Sequence, residues 1–248
     1  MSNIALIFAS GIGSRMRSTV GPKQFLQVKN KPLLVYTLER FESYQNIDKI
    51  YLVVRQSREE YTRELIKEHK LRKIRLVVDK DSDKLTAHAS IINGLVHMKK
   101  DGINDDDIVL IHDGVRPIID NDTLDRNIED TEEYGSSITF IPASETVARS
   151  LDGKGIESVT VRSEMVILQA PQAFKFGTAY ELNQRAIKDG IVGTVVDQAE
   201  LNRRYGKNLH LTEGLKGNVK ITVPLDFTYF EFLVESGKYE LILRGETV

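Results

Sequence analysis

Cysteine is missing from all 248 residues, which removes disulfide stapling, thiolate nucleophiles and cysteine-ligated metal from consideration. That absence is compatible with either redox environment. Long apolar runs are missing too, since none approaches the roughly 20 residues that a membrane helix requires. The opening Met1-Ser2-Asn3 and the short apolar run at 4–9 lack the basic region and length of a secretory signal, so the segment reads as a mature strand. A cytoplasmic chain without membrane insertion is expected. No charge sign dominates either: 34 Lys and Arg stand against 36 Asp and Glu, for a formal net charge of -2. General attraction to nucleic acid or anionic membrane is therefore not expected. A polyanion handled by this chain would be small and held by local charges. Internal repeats and low-complexity tracts are also absent.

What remains is the composition of an ordinary globular protein, with 41% hydrophobic and 28% charged residues. A single domain spanning 1–248 is expected. The apolar run at 4–9 enters the glycine-bearing turn Ser10-Gly11-Ile12-Gly13-Ser14 as a buried strand. Pro32 opens a helical pattern through Leu33, Leu34, Leu38 and Phe41. Strands are expected at 50–54, 74–78 and 108–111, with helices at 58–70 and 87–98 between them. This alternation predicts an α/β fold with a mostly parallel sheet covered on both faces. After Ser136 the pattern changes. A strand is expected at 138–141, and strand-like segments at 146–161 flank the turn Asp152-Gly153-Lys154-Gly155. The segment 142–165 therefore reads as a projecting β-arm of the kind used for dimer contact. Pro171 and the run 174–186 read as a return to helix, 219–223 as a late strand, 227–235 as a helix, and the remainder as a frayed tail.

In a parallel sheet the ligand lies beyond the carboxyl ends of the strands. The loop from Ser10 to Lys23 and the segment His112-Asp113-Gly114-Val115-Arg116-Pro117 both follow strands, so they fall in one candidate cleft. Gly11 and Gly13 let backbone N–H groups approach a phosphate, Arg15 supplies a planar multi-donor group, and Lys23 a mobile point charge. The loop is neither a P-loop, lacking Gly-Lys-Ser/Thr, nor a dinucleotide fingerprint, whose third glycine position is Met16. Phosphate binding and a plain turn with solvated cations both fit it. Asp113 fits either a turn cap or a contact to Mg²⁺ held between protein and triphosphate. Arg116 would neutralise phosphate or pair with Asp113, and His112 reads as a packed residue rather than a general base. Thr146, Arg162 and Lys220 are unremarkable individually.

Several ordered motifs carry a more specific signal. They are the segment Ala9-Ser10-Gly11-Ile12-Gly13-Ser14-Arg15-Met16, then Gly21-Pro22-Lys23-Gln24-Phe25-Leu26, then Lys31-Pro32-Leu33-Leu34-Val35-Tyr36-Thr37-Leu38. The segment at 112–117, Gln169-Ala170-Pro171-Gln172-Ala173-Phe174 and Asn218-Val219-Lys220-Ile221-Thr222 complete the set. Through them the chain resembles the cytidylyltransferases that couple CTP to methylerythritol 4-phosphate or to ribitol 5-phosphate. The resemblance implies a Rossmann-like nucleotidyltransferase fold and a homodimer formed through the β-arm. It implies CTP as substrate and Mg²⁺ as cofactor. Arg15, Lys23 and Lys220 would act on the reacting phosphates, and Asp113 would serve the CTP and Mg²⁺ site. The glycine loop (Ala9, Ser10, Gly11, Gly13) and Ser90 would surround the cytidine. Arg116, Thr146 and Arg162 would hold the second substrate, the last two across the dimer interface.

Three departures touch the nucleotide and acceptor pockets. Ser10 replaces the usual alanine or glycine, Ala87 replaces an arginine with no glycine pair before it, and Val196-Asp197-Gln198-Ala199 replaces Thr-Asp-Asp-Ala. Gly114-Val115 is similar to the ribitol-phosphate enzymes rather than the methylerythritol-phosphate enzymes, which carry paired alanines. Ribitol 5-phosphate is therefore the first expected acceptor, with methylerythritol 4-phosphate or another polyol phosphate as alternatives. A nicotinamide-dependent dehydrogenase would share the strand–loop–helix geometry, but the glycine spacing disfavours it. A nucleotide-binding homologue without turnover is opposed by the retained Arg15, Lys23, Asp113 and Lys220.

Overall fold

A computed structural model describes residues 1–11, 21–82 and 85–246. Strand β1 (Asn3–Phe8) is followed by the short antiparallel pair β2 (Gln27–Val28) and β3 (Lys31–Pro32), which leads into helix α1 (Leu33–Ser43). Strand β4 (Lys49–Arg55), helix α2 (Glu59–Glu68), strand β5 (Ile74–Asp79), helix α3 (Ala87–Lys100) and strand β6 (Ile108–Asp113) then alternate. Strands β5, β4, β1 and β6 lie side by side in that order, all parallel. The period-two pattern divides each strand between two cores. Ala5, Ile7, Ile50, Leu52 and Val54 face α1, whereas Ile4, Leu6, Tyr51 and Val53 face α3.

Helix α4 (Asn121–Tyr134) begins on Asp120, whose carboxylate accepts from Thr123 N at 3.0 Å. It stops at Gly135, where φ is 79° and a side chain would be strained. Strand β7 (Ser136–Pro142) then runs out to a small exposed hairpin, β8 (Ala148–Arg149) and β9 (Ser158–Val159). The chain returns along β10 (Val166–Lys175), which is antiparallel to both β6 and β7. Helices α5 (Phe176–Lys188) and α6 (Gln198–Arg204) cover the α3 face, and β11 (Leu211–Glu213) closes the sheet beside β7. Helices α7 (Pro224–Glu235) and α8 (Lys238–Leu243) pack on α1 in a third core containing Leu33, Tyr36, Phe230 and Tyr239.

Three expectations are corrected. Pro171 and residues 174–175 belong to β10, because the inner position between β6 and β7 satisfies an extended backbone on both sides. Pro171 has no N–H to donate, and it falls where the β10 register shifts between Leu168 and Gln172. Residues 219–223 form no strand. Their backbone groups are met by loops and side chains instead: Ile221 N donates to Val115 O (3.0 Å), and Lys23 Nζ to Ile221 O (2.7 Å). The tail is not frayed across α8. Tyr239 is buried, stands edge-on to Tyr36 and Phe230, and donates to Pro117 O at 3.0 Å.

Candidate active site

Strands β1 and β6 end together, with Phe8 opposite Asp113. Strand β5 ends nearby on Asp79, which is buried. The backbone leaving β1 is held by side chains. Gln24 Nε2 donates to the carbonyls of Ala9 (2.7 Å) and Gly11 (3.0 Å), and Arg55 Nε donates to the carbonyl of Ser10 (2.7 Å). A trans peptide sets C=O and N–H on opposite sides, so fixing the carbonyls of Ala9 and Ser10 aims the N–H groups of Ser10 and Gly11 away from Gln24 and Arg55. Gly13 and Arg15 lie outside the described residues. Lys23 is buried beside this loop.

Asp113 is the electrostatic centre. Its carboxylate meets Lys220 Nζ at 2.5 Å and Arg116 Nε at 2.9 Å, and Arg116 also donates to Asn218 O at 2.7 Å. Burial by itself would push the Asp113 carboxyl up, but Lys220 and Arg116 together hold it well below the usual carboxylate range. Its neighbour His112 is fully buried, which lowers the imidazole to about 4, only partly opposed by the bond to Arg116 O. Because Arg116 O can only accept, the proton sits on Nε2 (3.0 Å), and Nδ1 is left without a partner. A neutral histidine committed to a carbonyl is a packed residue.

Two cavities meet at this charge. The first, about 280 Å³, is lined by Ala9, Ser10, Gly11, Lys23 and Gln24 on one side and by Thr86, Ala87 and Ser90 on the other. The N-terminal end of α3 opens onto it, capped by Thr86 accepting from Ala89 N at 3.1 Å, so the positive end of the helix dipole faces the cavity. The second, about 210 Å³, has a mixed lining, with apolar Ile91, Ile111, Leu168 and Val195 beside polar His88, Arg116, Gln169, Gln172, Asp197 and Gln198. Phe8, Ala87, Asp113 and Lys220 line both. The small Ala87 therefore stands at the junction. Gln198 is buried and bonded to Asn183, which in turn bonds His88, while Asp197 caps α6 and accepts from Gln172 Nε2 at 2.9 Å.

Thr146 and Arg162 are exposed on the hairpin arm and line neither cavity within one chain. Of the remaining described candidates, Asp113 and Lys220 stand at the junction, Ala9, Ser10, Gly11, Lys23 and Ser90 line the first cavity, and Arg116 lines the second. Sequence reasoning missed Asp79, Gln24 and Arg55. Asp79 carried a usable signal, since it is a carboxylate closing a buried parallel strand, as Asp113 is. Among the described residues no three acidic or histidine side chains group as a metal cage. One ionised carboxylate at the junction nonetheless fits Mg²⁺, which commonly takes one or two carboxylates and the substrate's phosphates.

A mostly parallel sheet whose strand ends carry the loop after β1 and a buried aspartate, with Lys23 and Lys220 lining the same cavity, forms a nucleotidyltransferase-type cleft. Residues 3–236 match the family described as 2-C-methyl-D-erythritol 4-phosphate cytidylyltransferase (IspD). The ribitol-5-phosphate cytidylyltransferase of Vibrio parahaemolyticus is 36% identical over 94% of this chain and 96% of its own length. A 2-C-methyl-D-erythritol 4-phosphate cytidylyltransferase of Clostridium botulinum is 33% identical over 94% and 97%. The crystal structure of the Francisella tularensis 2-C-methyl-D-erythritol 4-phosphate cytidylyltransferase superposes with a TM-score of 0.77 at 26% identity, covering 94% of this chain and 99% of that one. The chain belongs to this family of CTP-dependent cytidylyltransferases.

Proposed function

We propose that this chain transfers the cytidylyl group of CTP to D-ribitol 5-phosphate, giving the CDP-polyol and pyrophosphate. The observation that carries the reading is the junction. A buried, ionised Asp113 with Lys220 and Arg116 lies where a cavity on the glycine-loop side meets a second cavity whose mixed lining offers the polar groups of Gln169, Gln172, Asp197 and Gln198. In this reading the first cavity takes CTP and the second the polyol. A phosphate oxygen of the acceptor attacks the α-phosphorus, and the bond from that phosphorus to the bridging oxygen breaks with its electron pair leaving on pyrophosphate. The acceptor phosphate is already ionised near neutral pH, with a second pKa of about 6, so no protein base is needed. The task is to align two polyanions and offset their charge, which suits Arg15, Lys23 and Lys220. Asp113 would share Mg²⁺ with the nucleotide, and the ion would neutralise phosphate charge when bound.

The choice of ribitol 5-phosphate draws on relatives of that name at 36% identity and on Gly114. A Cβ at Gly114 would stand 3.0 Å from both Ala9 Cβ and Leu34 Cδ1, so the close approach of this loop to β1 accommodates the alanine of the methylerythritol-phosphate pattern only if these neighbours give by a few tenths of an ångström. The family description and the Clostridium relative favour methylerythritol 4-phosphate as the second reading.

We also read the chain as one domain whose arm, 142–165, forms a homodimer in the cytoplasm. The arm and its base expose Val147, Leu151, Ile156, Val159, Val161 and Ile167, an apolar surface that a monomer leaves in water. Such a dimer would bring Thr146 and Arg162 to the acceptor phosphate of the partner subunit. Pyrophosphate release is the test of the transfer: purified protein with Mg²⁺ and CTP is offered a panel of polyol and sugar phosphates. Release is expected with ribitol 5-phosphate, and folded protein giving none with any acceptor would overturn the reading.

A further inference from the structure

We infer that Asp79 sets the base preference of the first cavity by fixing which way the hydroxyls of Ser10 and Ser90 donate. The inference rests on the nucleotidyl-transfer reading for what enters the cavity, and goes beyond it in naming how one base is told from another.

Two hydroxyls from different elements converge on one carboxylate oxygen. Ser10 Oγ lies 2.8 Å and Ser90 Oγ 2.6 Å from Asp79 Oδ2, and Asn93 Nδ2 donates to Oδ1 at 2.7 Å. All of Ser10, Ser90 and Asp79 are buried, and both serines line the cavity. A carboxylate only accepts, so each serine commits its single proton to it. The other partners in reach are Val53 O for Ser10 (3.4 Å) and Thr86 O for Ser90 (3.3 Å), which also only accept. Every partner the structure gives these hydroxyls takes their proton. Lone pairs are what the two oxygens retain for a ligand.

A wall of acceptors suits a ligand edge that donates. Cytosine carries an amino group where uracil carries a carbonyl. The amino group meets the serine lone pairs with N–H, whereas the carbonyl opposes them with lone pairs of its own and leaves buried acceptors unmatched. The geometry thus selects an amino-bearing pyrimidine. Asp79 touches no base in this account and acts as a positioning residue. Arg55 braces the arrangement by donating to Ser10 O (2.7 Å) and Ser82 O (3.1 Å), tying the loop after β1 to the chain that follows β5.

Asp79→Asn provides the test. Asn93 Nδ2, also within 3.3 Å of Val78 O, requires an acceptor at the Oδ1 position, so the new amide would put its nitrogen opposite the two serines. A donor there occupies a lone pair on each serine oxygen that the base would otherwise use and releases the serine protons, for which Val53 O and Thr86 O compete with the cavity. Dissociation constants for CTP and UTP are measured by calorimetry with Mg²⁺ and without acceptor, alongside melting temperature. Wild type is expected to prefer CTP, and Asp79→Asn to reduce that CTP:UTP preference by about tenfold. Ser10→Ala, which leaves the Asp79–Ser90 contact in place, should reduce it by about three- to tenfold, chiefly through weaker CTP binding. If Asp79→Asn fails to fold, Ser10→Ala carries the test alone. A merely structural role would weaken both nucleotides alike. Folded variants that keep the wild-type ratio, or a wild type that prefers neither nucleotide, would overturn the inference. Failure of the transfer reading has a different signature, CTP binding with a preserved preference but no pyrophosphate release with any acceptor.

Discussion

His112 shows how burial at a single residue becomes a pH dependence of the whole chain. The folded imidazole is held at about 4, while an unfolded one has its ordinary value near 6.5. Between those values the unfolded chain binds a proton that the folded chain refuses, so stability falls as pH drops from about 6.5 to about 4. The shift corresponds to about 3 kcal/mol at 1.36 kcal/mol per pKa unit. His112→Gln keeps a donor for Arg116 O without the titration. Melting temperature against pH should show a shallower acid decline in the variant over that window, and parallel curves would contradict the burial argument. Asp113 has the same sign for a different reason. Its pKa is depressed by Lys220 and Arg116, so its contribution is in place above the ordinary carboxylate range and is lost only as pH falls below it. At this scale the sequence was informative where chemistry required a charged residue at a strand end, as with Asp113. It was silent where a side chain serves another side chain, as Gln24 and Arg55 do for the loop carbonyls.

Among the elements, α3 is the one whose packing reaches the site most directly. A Cβ at Gly94 would overlap Leu6 Cδ1 and stand 3.1 Å from Val53 Cγ2, so the glycine lets α3 lie against β1 and β4. Gly94→Ala gains about 1 kcal/mol in helix propensity but overpacks a filled core at a cost of about 1–3 kcal/mol. A net destabilisation is expected in chemical denaturation, together with weaker nucleotide binding as the Ser90 end of α3 shifts. A more stable variant would contradict the close-packing account. The parallel elements were legible because their strands are continuous apolar runs buried on both faces. Helix α4 was not, because only Leu124 and Ile128 mark its apolar side. The rest of its buried face is polar: Asn127 bonds Ser137 and Thr139, and Ser137 meets Thr212. The segment 219–223 failed for a related reason: Ile221 alone of its alternating residues enters a core, and its backbone carbonyl is taken by the Lys23 ammonium and not by a ladder partner.

For the whole molecule, the exposed apolar arm is the feature that one chain leaves unexplained. Placing a charge at its centre, as in Ile156→Asp, should leave the monomer fold intact because the side chain is 73% exposed. Sedimentation velocity is expected to show a dimer for the wild type and a monomer for the variant. A wild-type monomer would contradict the dimer and, with it, the roles of Thr146 and Arg162. The paired cavities with Asp113 and Lys220 between them were partly legible, because strand ends gather loops into one cleft whatever the intervening sequence. The second cavity was less so, since it is assembled from β1, α3, β6, β10 and the start of α6, elements far apart in the chain. Competition between the two acceptors distinguishes the readings. Protein with CTP and Mg²⁺ is given equimolar D-ribitol 5-phosphate and 2-C-methyl-D-erythritol 4-phosphate, and the products are separated by anion exchange. The CDP derivative of ribitol is expected as the dominant product, matched by an equal amount of pyrophosphate. Dominance of the methylerythritol product, or no product at all, would contradict the ribitol reading.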